Sequence, residues 1–130
     1  MNARNRIVTT FAVIAVGGAL GAAVASRMPD QLAGRVSDRS RVCMVNDRVM
    51  GQAQLPVIVD GRTYYGCCAG CVARLNEDRK ARVSTDPVTG RDVDKSQAVI
   101  LRGENGEALY FESEDTARRY RGREAAKNLS

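Results

Sequence analysis

Four cysteines and a complete lack of histidine constrain this 130-residue chain more than any other feature. Cys43 stands alone, whereas Cys67, Cys68 and Cys71 lie within five residues of one another. This spacing is more typical of metal ligands than of disulfides, and thiolates select soft or borderline ions such as Zn(II), Cu(I) or Hg(II). A metal site must therefore be rich in sulfur, or be completed by oxygen, water or a second chain.

The chain is poor in the large side chains that build an extensive core. It has no Trp and two Phe. Units of about 40 residues rarely hold a core without a metal, a disulfide or a partner. The net charge of +5 is a weak signal for nucleic acid, so we expect no nucleic-acid partner. Because no histidine is present to act as base for a Cys or Ser nucleophile, we expect no enzymatic activity.

The N-terminal region, residues 1–26, contains an uncharged apolar stretch at 7–25. At 1.5 Å per residue, a helix of this length just spans a hydrocarbon core of roughly 30 Å. Two interpretations stay open: an uncleaved transmembrane anchor that contacts the membrane, or a signal peptide cleaved near Ala25. The arginines before the stretch favour an N-terminus inside the cell. We therefore expect an inner-membrane protein with residues 27–130 in the periplasm, or a protein secreted to the periplasm.

The rest of the sequence divides into a linker, 27–40, and two similar units, 41–82 and 83–130. Each unit contains two β-branched or aromatic runs separated by a turn sequence, which predicts a hairpin. Each hairpin leads into a helix. The predicted fold is α+β: an N-terminal transmembrane or signal helix followed by two small units, each a β-hairpin plus a helix.

Individual residues predict the turns and the helix ends. Asp60-Gly61 is a strong signal for a tight hairpin turn in the first unit, and a Gly-rich turn from 103 to 106 is predicted in the second. The first helix is predicted from about Ala69 to Lys80. Ser113 is predicted to cap the second helix.

The second unit keeps this pattern but lacks thiols. The two units align with Cys43, Cys67 and Cys71 opposite Thr89, Glu112 and Thr116 respectively. We therefore expect metal binding in the first unit and none in the second.

These residues resemble the TRASH/YHS family of small heavy-metal-binding domains, in which one Cys precedes a Cys-x3-Cys motif at a hairpin-to-helix junction. The segment from Asp86 to Gly90 (Asp-Pro-Val-Thr-Gly) is similar to the opening motif of YHS members, with Thr in place of Cys. The segment from Tyr110 to Thr116 is similar to their junction motif, with Glu and Thr in place of the two cysteines. The resemblance implies treble-clef-like units and a role in heavy-metal trafficking, resistance or sensing.

The candidate metal ligands are Cys43, Cys67 and Cys71, with Cys68 as an auxiliary ligand that the family pattern lacks. Cys67 and Cys71 are four residues apart, so on a first helical turn they share a face and can grip one ion. Three sulfurs suit Cu(I) or Hg(II), whereas a structural Zn(II) prefers four ligands, the fourth being Cys68, Asp47 or water. We expect copper(I) or zinc as the bound ion.

These expectations favour an extracytoplasmic soft-metal-binding protein in trafficking, homeostasis or resistance, with a protein partner for metal transfer. Two alternatives stay open. One is an interaction or assembly module held together by a structural zinc. The other is a thiol–disulfide redox protein, since the segment from Cys68 to Cys71 is formally a CxxC motif.

Overall fold

A computed structural model describes residues 32–130, which contain four antiparallel hairpins and two α-helices. The strands are β1 (Val42–Cys43), β2 (Arg48–Val49), β3 (Leu55–Val59), β4 (Arg62–Gly66), β5 (Val83–Thr85), β6 (Asp92–Asp94), β7 (Val99–Arg102) and β8 (Ala108–Phe111). The helices are α1 (Ala69–Glu77) and α2 (Glu114–Lys127). The α+β class with small hairpins is confirmed, and the order hairpin, hairpin, helix occurs twice.

The helix predicted within residues 1–26 lies outside the described residues. Between residues 32 and 130, neither helix is long and apolar enough to cross a membrane.

The turn chemistry read from the sequence produces the two longer hairpins. Asp60 and Gly61 both adopt positive φ, 51° and 73°, and form the predicted two-residue turn between β3 and β4. Such a turn matches the twist of the flanking strands. In the turn between β7 and β8, Gly106 adopts φ 82° and the Gly103 N–H donates to the Glu107 carbonyl at 2.8 Å.

Both helices begin where polar side chains cap them. Ser113 accepts a hydrogen bond from the Thr116 N–H at 3.2 Å and forms a capping box at the start of α2. Helix α1 begins at Ala69 as predicted, but it ends at Glu77 and not near Lys80. Asp78 takes an extended conformation and its side chain accepts from the Lys80 N–H at 2.8 Å, so the chain continues as a short 3₁₀ turn.

Residues 32–40, from the segment predicted to be a linker, lie against the second half of the chain, residues 83–130; the first half is residues 41–82. Leu32 is buried, Arg35 pairs with Leu101 in a β-bridge, and the Arg39 guanidinium donates to the Ala98 carbonyl at 2.7 Å.

The two halves share one core. Its main cluster joins Val42, Met44, Tyr64 and Leu75 of the first half to Val93, Ile100 and Tyr110 of the second, among others. A second cluster packs Leu101, Phe111 and Ala117 against Leu32. Because each half is too small to enclose a core alone, the second half supplies apolar area on which the cysteine-bearing half depends.

A buried lysine also joins the halves. The Lys95 side chain, 5% exposed, donates from Nζ to the Met44 carbonyl and to Asp47 Oδ1, both at 2.7 Å. The ammonium also lies 5.3 Å from the centre of the Tyr110 ring. These contacts hold the turn that follows Cys43.

Candidate metal centre

The fold brings three thiols together. The Sγ atoms of Cys43, Cys67 and Cys71 all lie within 4.8 Å of one another. The Cys43–Cys71 distance is 4.0 Å and the Cys67–Cys71 distance is 3.6 Å. All three cysteines are free. We call these three residues the three-sulfur group.

The spacing of the three-sulfur group fits a metal ion. With a metal–sulfur bond of about 2.3 Å, sulfurs lie about 4.0 Å apart around a trigonal ion and about 3.8 Å apart around a tetrahedral one. The Cys43–Cys71 and Cys67–Cys71 separations lie close to these values, and the Cys43–Cys67 separation is at most 4.8 Å. The donor set, three thiolates with no imidazole, selects soft or borderline ions.

Each thiol is positioned by a different element. Cys43 ends β1, Cys67 follows β4, and Cys71 lies in the first turn of α1. The Met44 N–H donates to the Tyr65 carbonyl at 2.8 Å, which holds the end of β1 against β4. A Cβ on Gly66 would lie 2.7 Å from the Cys71 Cβ, so only glycine lets α1 approach the strand this closely.

The three-sulfur group is buried on the side of Cys43 and Cys71 and exposed to solvent on the side of Cys67. Cys43 is fully buried and Cys71 is 9% exposed, whereas Cys67 is exposed. The Asn46 side-chain amide lies at this open edge, with Nδ2 3.5 Å from the Cys67 Sγ. Asn46 was not predicted as a site residue, and its position three residues after Cys43, in the same turn, is the only sequence signal for it.

The local electrostatics differ between the two buried thiols. Burial raises the pKa of Cys43, but the backbone N–H groups of Asn46, Cys67 and Val45 outweigh it and leave that pKa below its ordinary value. Burial, followed by the neighbouring thiols, raises the pKa of Cys71 to about 12. A bound cation would stabilise all three thiolates together and remove this difference in pKa between Cys43 and Cys71.

Cys68 lies outside the three-sulfur group. Its exposed side chain caps α1, where Sγ accepts from the Cys71 N–H at 3.4 Å. Asp47, the other residue named as a fourth ligand, binds Lys95 instead.

In the second half, a buried carboxylate meets backbone N–H groups at positions equivalent to those that lower the pKa of Cys43. For Cys43 these N–H groups belong to Val45, Asn46 and Cys67. In the second half the carboxylate is that of Asp86, which is fully buried. Its Oδ1 accepts from Val88 N at 2.7 Å and Thr89 N at 3.3 Å, and its Oδ2 accepts from Glu112 N at 2.9 Å.

Strand register and backbone conformation give the same correspondence. Cys43 pairs with Arg48, and the Asp86 N–H donates to the Arg91 carbonyl at 2.8 Å, a separation of five residues in both turns. The fourth residue after each has positive φ, 49° at Asp47 and 74° at Gly90. The alignment of Cys43 with Thr89 is therefore wrong: Asp86 occupies the equivalent place, three residues earlier.

Within residues 32–130, the three-sulfur group is the one cluster of three or more Cys, Asp or Glu ligand atoms close enough to share an ion. No family model, curated protein or solved structure matches the chain. The site itself must therefore carry any functional conclusion.

Proposed function

We propose that this protein binds one soft or borderline metal ion, Cu(I) or Zn(II), through Cys43, Cys67 and Cys71 and holds it in exchangeable form. The observation that carries the proposal is the convergence of three free thiols from three different elements, all within 4.8 Å of one another. A trafficking, homeostasis or resistance role follows from an ion that can be both taken up and released.

The second half of the chain supports an exchangeable ion over a structural one. It has the same order of elements as the first half, with Asp86 hydrogen-bonded where Cys43 stands in the first. The shared core adds stabilisation that does not involve the thiols. A fold held in these ways does not need a metal in order to form, and the exposed Cys67 leaves a bound ion accessible.

The junction part of the resemblance to TRASH/YHS domains, with Cys67 and Cys71 where a hairpin meets a helix, supports the same proposal. Each half places a hairpin before a helix, and the three thiols of the first half meet at that junction, as in a treble-clef-like unit. The apolar stretch 7–25 supports an extracytoplasmic location, either behind a membrane anchor or after signal cleavage. A protein partner would then deliver or receive the ion.

The test is anaerobic titration of the reduced full-length chain with Cu(I) and, separately, with Zn(II). We expect one thiolate-bound ion per chain. Cys67→Ser should lose it without unfolding, because that side chain is exposed and contributes little to the core. Glu112→Ser changes the matched position of the second half and should retain one ion. Full stoichiometry in Cys67→Ser would contradict the proposal.

Two further measurements separate the alternative functions. Chelation should empty the site while helical circular dichroism and cooperative unfolding persist; unfolding on chelation would indicate a structural zinc. Four reactive thiols in freshly purified, demetallated protein are expected, whereas two would indicate a disulfide and a redox role.

A further inference from the structure

The N-cap side chains of α1 and α2 differ only in one atom, sulfur in Cys68 and oxygen in Ser113. Cys68 caps α1 with φ −154° and ψ 170°, and Ser113 caps α2 with φ −155° and ψ 166°. Each side chain accepts from the backbone N–H three residues later, at 3.4 Å and 3.2 Å. Serine is a preferred capping residue and cysteine is not. The cap itself therefore does not require a thiol at position 68.

The position of Cys68 suggests a different use for its sulfur. Cys68 and its neighbour Cys67 are exposed, whereas Cys43 is fully buried and Cys71 is 9% exposed. An ion that arrives from solvent or from a donor protein can reach the two exposed thiols directly. The other two thiols, Cys43 and Cys71, are less accessible from solvent.

We propose that Cys68 is the acceptor thiol that takes the ion from a donor and passes it to the three-sulfur group, an inference that rests on the proposed function. The Cys68 sulfur bonds to the ion as a donor thiolate leaves, and the proton of Cys68 passes to that leaving thiolate. Cys67, Cys71 and Cys43 then replace the remaining donor thiolates, and Cys68 itself leaves the ion last. Each joining thiol releases a proton, each departing sulfur takes one up, and the oxidation state of the metal does not change.

The benefit of such a thiol is kinetic. An ion held on Cys68 meets Cys67 at an effective concentration of roughly millimolar or more, far above a micromolar donor. Without Cys68, each successful transfer must begin at Cys67, which also lies against Asn46. We expect loading to slow about tenfold while the final occupancy stays the same.

The experiment follows loading of the full-length chain from a Cu(I)–glutathione complex by stopped-flow absorption of the thiolate-to-copper charge-transfer band. Cys68→Ser should remain folded, since Ser113 shows that serine caps this geometry. It should bind one Cu(I) at equilibrium but load about tenfold more slowly than the wild type. The double variant Cys68→Ser/Ser113→Cys keeps four thiols and both caps, and it should load as slowly as Cys68→Ser.

Three outcomes would overturn the inference. Wild-type loading by Cys68→Ser would remove the need for an acceptor thiol. Recovery of the rate in the double variant would show that any exposed thiol suffices. Loss of equilibrium binding in Cys68→Ser would make Cys68 a resident ligand. Failure of the wild type to bind Cu(I) or Zn(II) would instead contradict the proposed function, so the two failures are distinguishable.

Discussion

Replacing Asp86 tests whether its carboxylate organises the backbone N–H groups of the second half, as the Cys43 thiolate does in the first half. Its two oxygens accept from Val88 N, Thr89 N and Glu112 N and are fully buried. Asp86→Ala leaves these N–H groups without their partner. With about 1.5 kcal/mol for each hydrogen bond to a charged acceptor, partly offset by relief of the buried charge, we expect a loss of about 4 kcal/mol.

Asp86→Asn separates the loss of the hydrogen-bond acceptors from the loss of the whole side chain. An amide has one acceptor oxygen, so either the turn donors or the Glu112 N–H must face an NH₂ group. We expect a loss of about 2 kcal/mol, or roughly 10 °C in Tm for a domain of this size. Thr89→Ala is the matched control. Thr89 is partly exposed and its hydroxyl accepts only a long 3.4 Å bond from Arg91 N, so its loss should change stability by less than about 0.5 kcal/mol.

The same variants should differ in their acid response. Burial raises the pKa of Asp86, but the backbone donors and the Thr116 hydroxyl outweigh it and leave that pKa below its ordinary value. This stabilisation is complete above the unfolded pKa of about 3.9 and is lost as the pH falls through the lower folded pKa. Below about pH 4, the free energy of unfolding of the wild type should therefore fall to that of Asp86→Asn.

The assay is urea and thermal unfolding of the metal-free protein, followed by circular dichroism between pH 3 and pH 7. The reasoning is refuted if Thr89→Ala costs more than Asp86→Asn, or if Asp86→Ala costs less than about 1 kcal/mol.

Two further predictions concern residues that support the site, and a third is a packing control in α2. Lys95→Met should lower the free energy of unfolding by about 2 kcal/mol in urea titrations and weaken metal affinity, because it releases the turn after Cys43; equal metal affinity would contradict this. Gly66→Ala should cost about 2 kcal/mol and abolish stoichiometric binding, since its Cβ would meet the Cys71 Cβ at 2.7 Å. Gly122→Ala, whose Cβ meets nothing within 4 Å, should instead stabilise the protein by about 1 kcal/mol in thermal melts, and a loss would refute this packing argument.

Local chemistry made the longer elements predictable. Asp60-Gly61 demands positive φ at two successive residues, and Ser113 offers the oxygen that a helix start requires, so both features appear where the sequence indicates them. The end of α1 was less predictable. The helical pattern continues past Glu77, but Asp78 binds the Lys80 N–H and redirects the chain. A side-chain bond of this kind competes with the helix without changing the hydrophobic pattern.

The correspondence between Cys43 in the first half and Asp86 in the second could not be predicted from the sequence. Short strands such as β1 and β5, two and three residues long, carry too little alternation to fix a register. Spacing favoured Thr89, but the buried hydrogen bonds select Asp86. Lys95 was missed for a related reason. Its partners are the Met44 carbonyl and the Asp47 carboxylate, 51 and 48 residues away, so no sequence periodicity signals the contact.

The central claim is that Cys43, Cys67 and Cys71 bind one ion together. X-ray absorption spectroscopy of the full-length chain loaded with one equivalent of Cu(I) counts the sulfurs bonded to the ion directly. The account predicts three sulfur neighbours in the wild type and fewer in Cys67→Ser. A copper coordinated mainly by nitrogen or oxygen, or an unchanged sulfur count in Cys67→Ser, would contradict it.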